Sequence, residues 1–146
     1  MIRFDNAVDI ERDPDEVYAY LADLEHTPKW NWAIASTKKV TAGPIGIGTR
    51  YRQTRSVPRP AVELIEISNL EPGRSVEVTG VLGPFDARLT YELGRTTIGT
   101  RLVNRVQLSA PIPLGPLANV LGRRVKASVA ENLDVLKAVL ERPDGS

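Results

Sequence analysis

Leu117, Leu121, Val125, Val129, Leu133, Leu136 and Leu140 recur at steps of four, four, four, four, three and four, which is one face of a long helix. Pro116 suits the first turn of that helix and Pro143 follows its end. Some 26 residues at about 1.5 Å each make a rod of roughly 39 Å, long for a chain of 146 residues. Gly122, on the same helix, marks a bend or a close approach. What precedes the helix has to form the surface that this apolar face covers.

That surface reads as a sheet. From about Ala35 to Ala110 the chain is punctuated by Gly43-Pro44-Ile45-Gly46, Pro58-Arg59-Pro60, Glu71-Pro72-Gly73, Gly83-Pro84 and Gly94 through Gly99. Between these turns lie runs near 35–42, 48–57, 61–70, 74–82, 85–93 and 98–109, whose short connections favour an antiparallel meander. Ile2, Phe4, Asn6, Val8 and Ile10 alternate with polar or small residues, adding an N-terminal strand and giving a sheet of about seven. Asp13-Pro14-Asp15-Glu16 then starts a short helix, with Asp13 as cap, Pro14 at the first helical position and Glu16 placed to close a capping box. Val17, Leu21 and Leu24 form its buried stripe, Thr27-Pro28 interrupts it, and a second short helical or turn segment runs from Pro28 to Trp32.

A sheet of this size curls under its own twist, and one helix is too narrow to fill the concave side. Aromatic residues make up only 5% of the chain, so few bulky side chains are present to plug the space. A hollow between helix and sheet is therefore expected. The expected class is α+β, within a single domain spanning residues 1–146.

The order and spacing of several short motifs carry a family resemblance. They are Val8-Asp9-Ile10 before Asp13-Pro14-Asp15-Glu16-Val17, then Leu21-Ala22-Asp23-Leu24 and Pro28-Lys29-Trp30. Gly46-Ile47-Gly48-Thr49, Gly99-Thr100-Arg101-Leu102 and Leu114-Gly115-Pro116-Leu117 follow. From about Phe4 to Glu141 the chain resembles the START-related (SRPBCC) superfamily, most of all its polyketide cyclase/dehydrase branch. The resemblance implies a helix-grip fold, a curved antiparallel sheet wrapped around the C-terminal helix. It also implies a cavity for an apolar or amphipathic guest such as a lipid, sterol, polyketide, quinone or plant hormone. Only some members are enzymes.

Composition removes several other classes. The chain has no cysteine, which excludes disulfides, thiolate metal sites and cysteine nucleophiles. One histidine, His26, excludes multi-histidine metal sites and argues against a Ser-His-Asp triad; it is expected to lie in solvent beyond the first helix. A formal net charge of +1 argues against a nucleic-acid binder that relies on bulk charge. The N-terminal alternation reads as neither a signal peptide nor a membrane span, so a cytoplasmic protein without metal or other cofactor is expected. Its partner would be a small hydrophobic ligand, with only transient membrane contact if it carries lipid, and the chain would be a monomer or homodimer. Gly46-Ile47-Gly48 precedes a strand and not a helix, so it reads as a hairpin turn and not a phosphate loop.

Strand alternation selects candidate cavity walls. Tyr51, Gln53 and Arg55 share a face opposite the more easily solvated Arg50 and Arg52. Glu63 and Ile65 share another, as do Ala87, Leu89 and Tyr91, and Leu102, Asn104 and Val106. Asn6, Gln53, Ile65, Leu89, Leu102, Asn104 and Val106 are thus candidate ligand contacts, joined by Leu117, Leu121 and Val125 from the helix. The polar members must bond to protein, water or ligand, since a buried polar group without a partner costs about 1–3 kcal/mol.

Glu63, Tyr51 and Tyr91 are the candidate catalytic residues. A buried Glu63 beside a tyrosine would suit acid/base work of a cyclase or dehydratase. The alternative is a surface carboxylate, or an ion pair with Arg55. Trp30 and Trp32 either line the cavity mouth or plug one end of the sheet. Arg50, Arg52, Arg55 and Arg59, with Arg123-Arg124-Lys126, read as solvated faces unless they join into one anion-binding patch. The proline-rich stretch 111–117 is expected at a cavity entrance, opposite loops 57–60 and 83–85. Three functions follow: a ligand-binding protein, a polyketide cyclase- or dehydratase-like enzyme, or a regulatory interaction module.

Overall fold

The computed structural model describes residues 1–143, so all but the first residue of the short polar tail after Arg142 lies outside the described residues. Seven strands form one antiparallel sheet: β1 (Ile2–Ile10), β2 (Ile34–Lys39), β3 (Arg50–Arg55), β4 (Ala61–Glu71), β5 (Ser75–Leu82), β6 (Phe85–Arg95) and β7 (Thr100–Ser109). The spatial order is β1-β7-β6-β5-β4-β3-β2. Strands β2 to β7 are a meander, and β1 closes onto the last strand with Ile2 opposite Leu108 and Ile10 opposite Thr100. The helix-grip class expected from the sequence is the observed one.

Alternation fixes which face is inside. On β3 Tyr51 and Gln53 are buried while Arg50 and Arg52 are exposed. On β4 Glu63, Ile65 and Ile67 are buried, and Val62 and Leu64 stand in solvent at 67% and 59% exposure. Both faces of β4 are apolar in sequence, so its direction is set by pairing with β3, where Gln53 lies opposite Glu63 and Tyr51 opposite Ile65.

Helix α1 (Pro14–Ala22) is capped by the Asp13 carboxylate, which accepts from the Asp15 amide at 3.0 Å. Glu16 does not close the expected box, because it turns toward Arg12 at 3.9 Å. The next turn also begins earlier than the proline suggests. Asp23 is extended and accepts from the Glu25 amide at 3.2 Å, starting a 3₁₀ helix at Leu24–Lys29 that simply carries Pro28 within it. This bend puts Trp30 into the core at 7% exposure. It also leaves His26 half-buried and not in solvent, stacked on Tyr20 with ring centroids 4.1 Å apart.

Helix α2 (Leu117–Leu140) runs alongside β1. Gly122 sits against Ile2, where an added Cβ would come within 3.2 Å of Ile2 Cγ2, so this glycine allows close approach. Asn6 Nδ2 donates to the Lys126 carbonyl at 3.0 Å, Lys137 Nζ to the Asp9 carbonyl at 2.6 Å, and the Glu11 amide to Glu141 Oε2 at 2.8 Å. These bonds stitch the helix to one side of the sheet. Only its second half is fully buried, through Asn132, Leu133, Leu136, Val139 and Leu140. The first half keeps Leu121, Val125 and Val129 half-buried and leaves Leu117 52% exposed. The first half packs on one side only, against the Ile2, Phe4, Val106 and Leu108 cluster, and so stays less buried than the second.

Candidate functional site

Beneath the middle of α2, between Arg124 and Asn132, the curved sheet leaves a cavity of about 510 Å³. Its apolar wall includes Trp30, Leu89, Val106, Val125 and Val129, and its mouth is bordered by Trp32, Val57, Pro58 and Arg124. A narrower chamber of about 70 Å³ continues from it under the 3₁₀ helix and reaches Gln53, Ile65 and Val78. Trp30, Arg55, Leu89 and Tyr91 border both spaces. Gly80 borders the inner chamber where β5 lies close on β4, and a Cβ there would strike the Leu64 carbonyl at 2.7 Å.

Four polar residues give the cavity its chemistry. Tyr91 packs edge-on against Trp30, with centroids 6.2 Å apart, and burial pushes its hydroxyl well above the ordinary phenol range. It is therefore a proton-bearing hydrogen-bond donor and not a base. Asn104, 1% exposed, donates to the Thr90 carbonyl at 3.3 Å. Asn132, 5% exposed, has no partner for its Oδ1. Arg55 is held through Nε by both oxygens of Glu63, at 3.0 and 3.1 Å.

Of the candidates named from sequence, Leu89, Tyr91, Asn104, Val106 and Val125 line the main cavity, and Gln53 and Ile65 the inner chamber. The others lie elsewhere. Asn6 is spent on the helix backbone, and Leu102 is fully buried in the core with Leu133 and Leu136. Leu121 packs with the Ile2 and Phe4 cluster, while Leu117 is half in solvent at the helix start. Glu63 borders neither space. Its carboxylate accepts from Gln53 Nε2 at 2.8 Å and from the Gly83 amide at 2.9 Å, besides Arg55. Trp30, Arg55 and Asn132 join the site without having been named as candidate contacts. Arg55 shares the face of Tyr51 and Gln53 in the alternation, and that was its available signal.

The proline-rich stretch borders a different, shallower hollow of about 490 Å³ with Ile2 and Leu108. Pro111, Ile112 and Pro113 are exposed there, and none of residues 111–117 borders the main cavity. No helix among the described residues is long and apolar enough to cross a membrane. Among those residues there is also no group of three or more metal-ligating side chains.

Tyr51 is wholly buried among Ala22, Leu24, Ile65 and Ile67, outside both spaces. Its hydroxyl lies near the Leu24 backbone without a well-formed hydrogen bond, and burial pushes it up to about 12. The unfolded chain releases this proton near the ordinary phenol value of 10.0, before the folded chain does. Stability should therefore fall as pH rises from about 10 to about 12. Tyr18, Tyr20 and Tyr91 shift the same way and add to the decline. In urea melts, Tyr51→Phe should lessen the loss between about pH 10 and 12 without lowering stability at about pH 7. An unchanged slope would contradict the assignment.

Known proteins share this architecture. TTHA0849 from Thermus thermophilus superposes with a TM-score of 0.73 at 22% identity, over 94% of each chain. The Zhui aromatase/cyclase from Streptomyces sp. R1128 gives 0.80 at 12% identity, over 99% of this chain and 98% of its own. The di-domain ARO/CYC StfQ of the steffimycin biosynthetic pathway gives 0.79 at 16% identity, over 99% of this chain, which spans 52% of its length. At such identities the likeness is one of fold. A search of curated proteins by sequence gives no match. Residues 1–141 match the family described as "Polyketide cyclase / dehydrase and lipid transport", and the chain belongs to that family.

Proposed function

We propose that this protein binds an apolar or amphipathic small molecule, of lipid, polyketide or quinone type, in the cavity between the sheet and α2. The observation that carries the reading is the open space of about 510 Å³ walled by Trp30, Leu89, Val106, Val125 and Val129, where a purely structural core would be filled. Family membership and the fold shared with aromatase/cyclases support it. Affinity comes from burying the guest's apolar surface at about 25 cal/mol per Å², less the cost of immobilising it. In this reading the protein works in the cytoplasm and touches membranes only when it loads or unloads.

A second reading, a cyclase or dehydratase acting on a polyketide-like substrate, is favoured by one observation. Tyr91 and Arg55, which border both spaces, bring hydrogen-bond donors to the cavity wall, as polarising a substrate carbonyl requires. There Tyr91 would donate the proton and Asn104 orient the substrate, with Glu63 acting only by holding Arg55.

Titration with the neutral fluorophore N-phenyl-1-naphthylamine tests the first reading. Fluorescence should rise and saturate at one probe per chain, and Tyr91→Phe should change the affinity by less than about two-fold. No saturable rise would remove the reading. Loss of turnover on a polyketide substrate in Tyr91→Phe, with probe binding intact, would favour the enzyme instead.

A further inference from the structure

The ion pair behind the cavity wall is built asymmetrically. Glu63 is 5% exposed and receives hydrogen bonds from Arg55 Nε, Gln53 Nε2 and the Gly83 amide, so its acceptor sites are taken up on the protein side. Arg55 uses Nε alone. Among the described residues its two terminal nitrogens have no protein partner, although its side chain is only 19% exposed. The terminal edge of a guanidinium is a planar fork of N–H donors matched to two oxygens. Arg55 borders both the main cavity and the inner chamber, and no carboxylate lines either space. The other charged group on the wall, Arg124 at the mouth, forms no salt bridge among the described residues. Two cations against the single Glu63 leave one positive charge unpaired, that of Arg124, which stands exposed at the mouth.

Resting on the ligand-binding reading above, we infer that the guest is an amphipathic anion, whose apolar body fills the cavity and whose carboxylate, or an equivalent oxyanion, docks on the terminal nitrogens of Arg55. Glu63 is then a positioning residue that fixes the guanidinium plane, with Gln53 and Gly83 fixing Glu63 in turn. Arg124 attracts the anion at the mouth and supplies the balancing charge. A neutral guest of the same shape would cover the two terminal nitrogens without supplying a charged acceptor.

Decanoate and 1-decanol separate the two cases by displacing N-phenyl-1-naphthylamine at about pH 7.5, where decanoate is ionised. The wild-type protein should bind decanoate at least about ten-fold more tightly than 1-decanol. In Arg55→Gln the preference should vanish, the ratio of the decanoate and 1-decanol affinities measured on the same variant falling to about one. Equal binding of the two by wild-type protein would overturn the inference and leave the apolar cavity standing; that comparison needs no variant to fold. A preference for decanoate that survives Arg55→Gln would overturn it as well. Failure of the fluorophore and both competitors to bind would remove the inference together with the reading it rests on.

Discussion

Replacing Val125 with tryptophan is expected to abolish guest uptake, lowering affinity for N-phenyl-1-naphthylamine by at least about 30-fold, or roughly 2 kcal/mol. Val125 is half-buried near the middle of α2 and borders the cavity. An indole placed there has open space to enter, so it occupies the guest's volume without forcing packed side chains apart. Overpacking a filled core costs about 1–3 kcal/mol, whereas filling a void need not. Val125→Trp should accordingly keep the wild-type denaturation midpoint within a few degrees. Val135 on the same helix is 44% exposed and borders no described cavity, so Val135→Trp is the control and should bind like wild type. Equal binding by both variants would place the guest elsewhere.

Leu136→Ala should produce the opposite pattern, a large loss of stability in a residue that never meets the guest. Leu136 is fully buried among Val8, Ile10, Val17 and Leu102, where β1, β7, α1 and α2 converge. Truncation removes transfer free energy and leaves a hole that four anchored elements cannot close. The expected loss is about 2–5 kcal/mol by denaturant unfolding. Leu117→Ala, at the 52% exposed start of the same apolar stripe, should change stability by less than about 0.5 kcal/mol. Comparable losses at both positions would mean that α2 is seated along its whole length, and the cavity would then be in doubt.

That contrast also marks where sequence reading ends. Periodicity identifies the face of α2 that points to the sheet, and Leu121, Val125, Leu133 and Leu136 do point there. It does not say how far the sheet has receded beneath each turn, because curvature accumulates over strands distant in sequence. The strands were legible wherever a charged residue opposed an apolar one, as Arg88 opposes Leu89 and Arg101 opposes Leu102. The partnership of Glu63 depended on β3–β4 register. Alternation puts it on an inward face, but only pairing shows Gln53 directly opposite and Arg55 within reach of both carboxylate oxygens. In sequence Arg55 reads either as part of a solvated basic face or as an ion-pair partner of Glu63, and the pair is what forms. The buried carboxylate makes the arginine part of the cavity wall.

Methyl-resolved NMR during titration with N-phenyl-1-naphthylamine tests the central claim, that a guest occupies the space under the middle of α2. Saturating shifts should appear at the methyls of Leu89, Val106, Val125 and Val129, all on the cavity wall. Those of Leu136 and Leu140, packed in the core beyond it, should stay nearly still. Shifts confined to the exposed methyls of Ile112, Leu117 and Val120, or no saturating shifts anywhere, would contradict it.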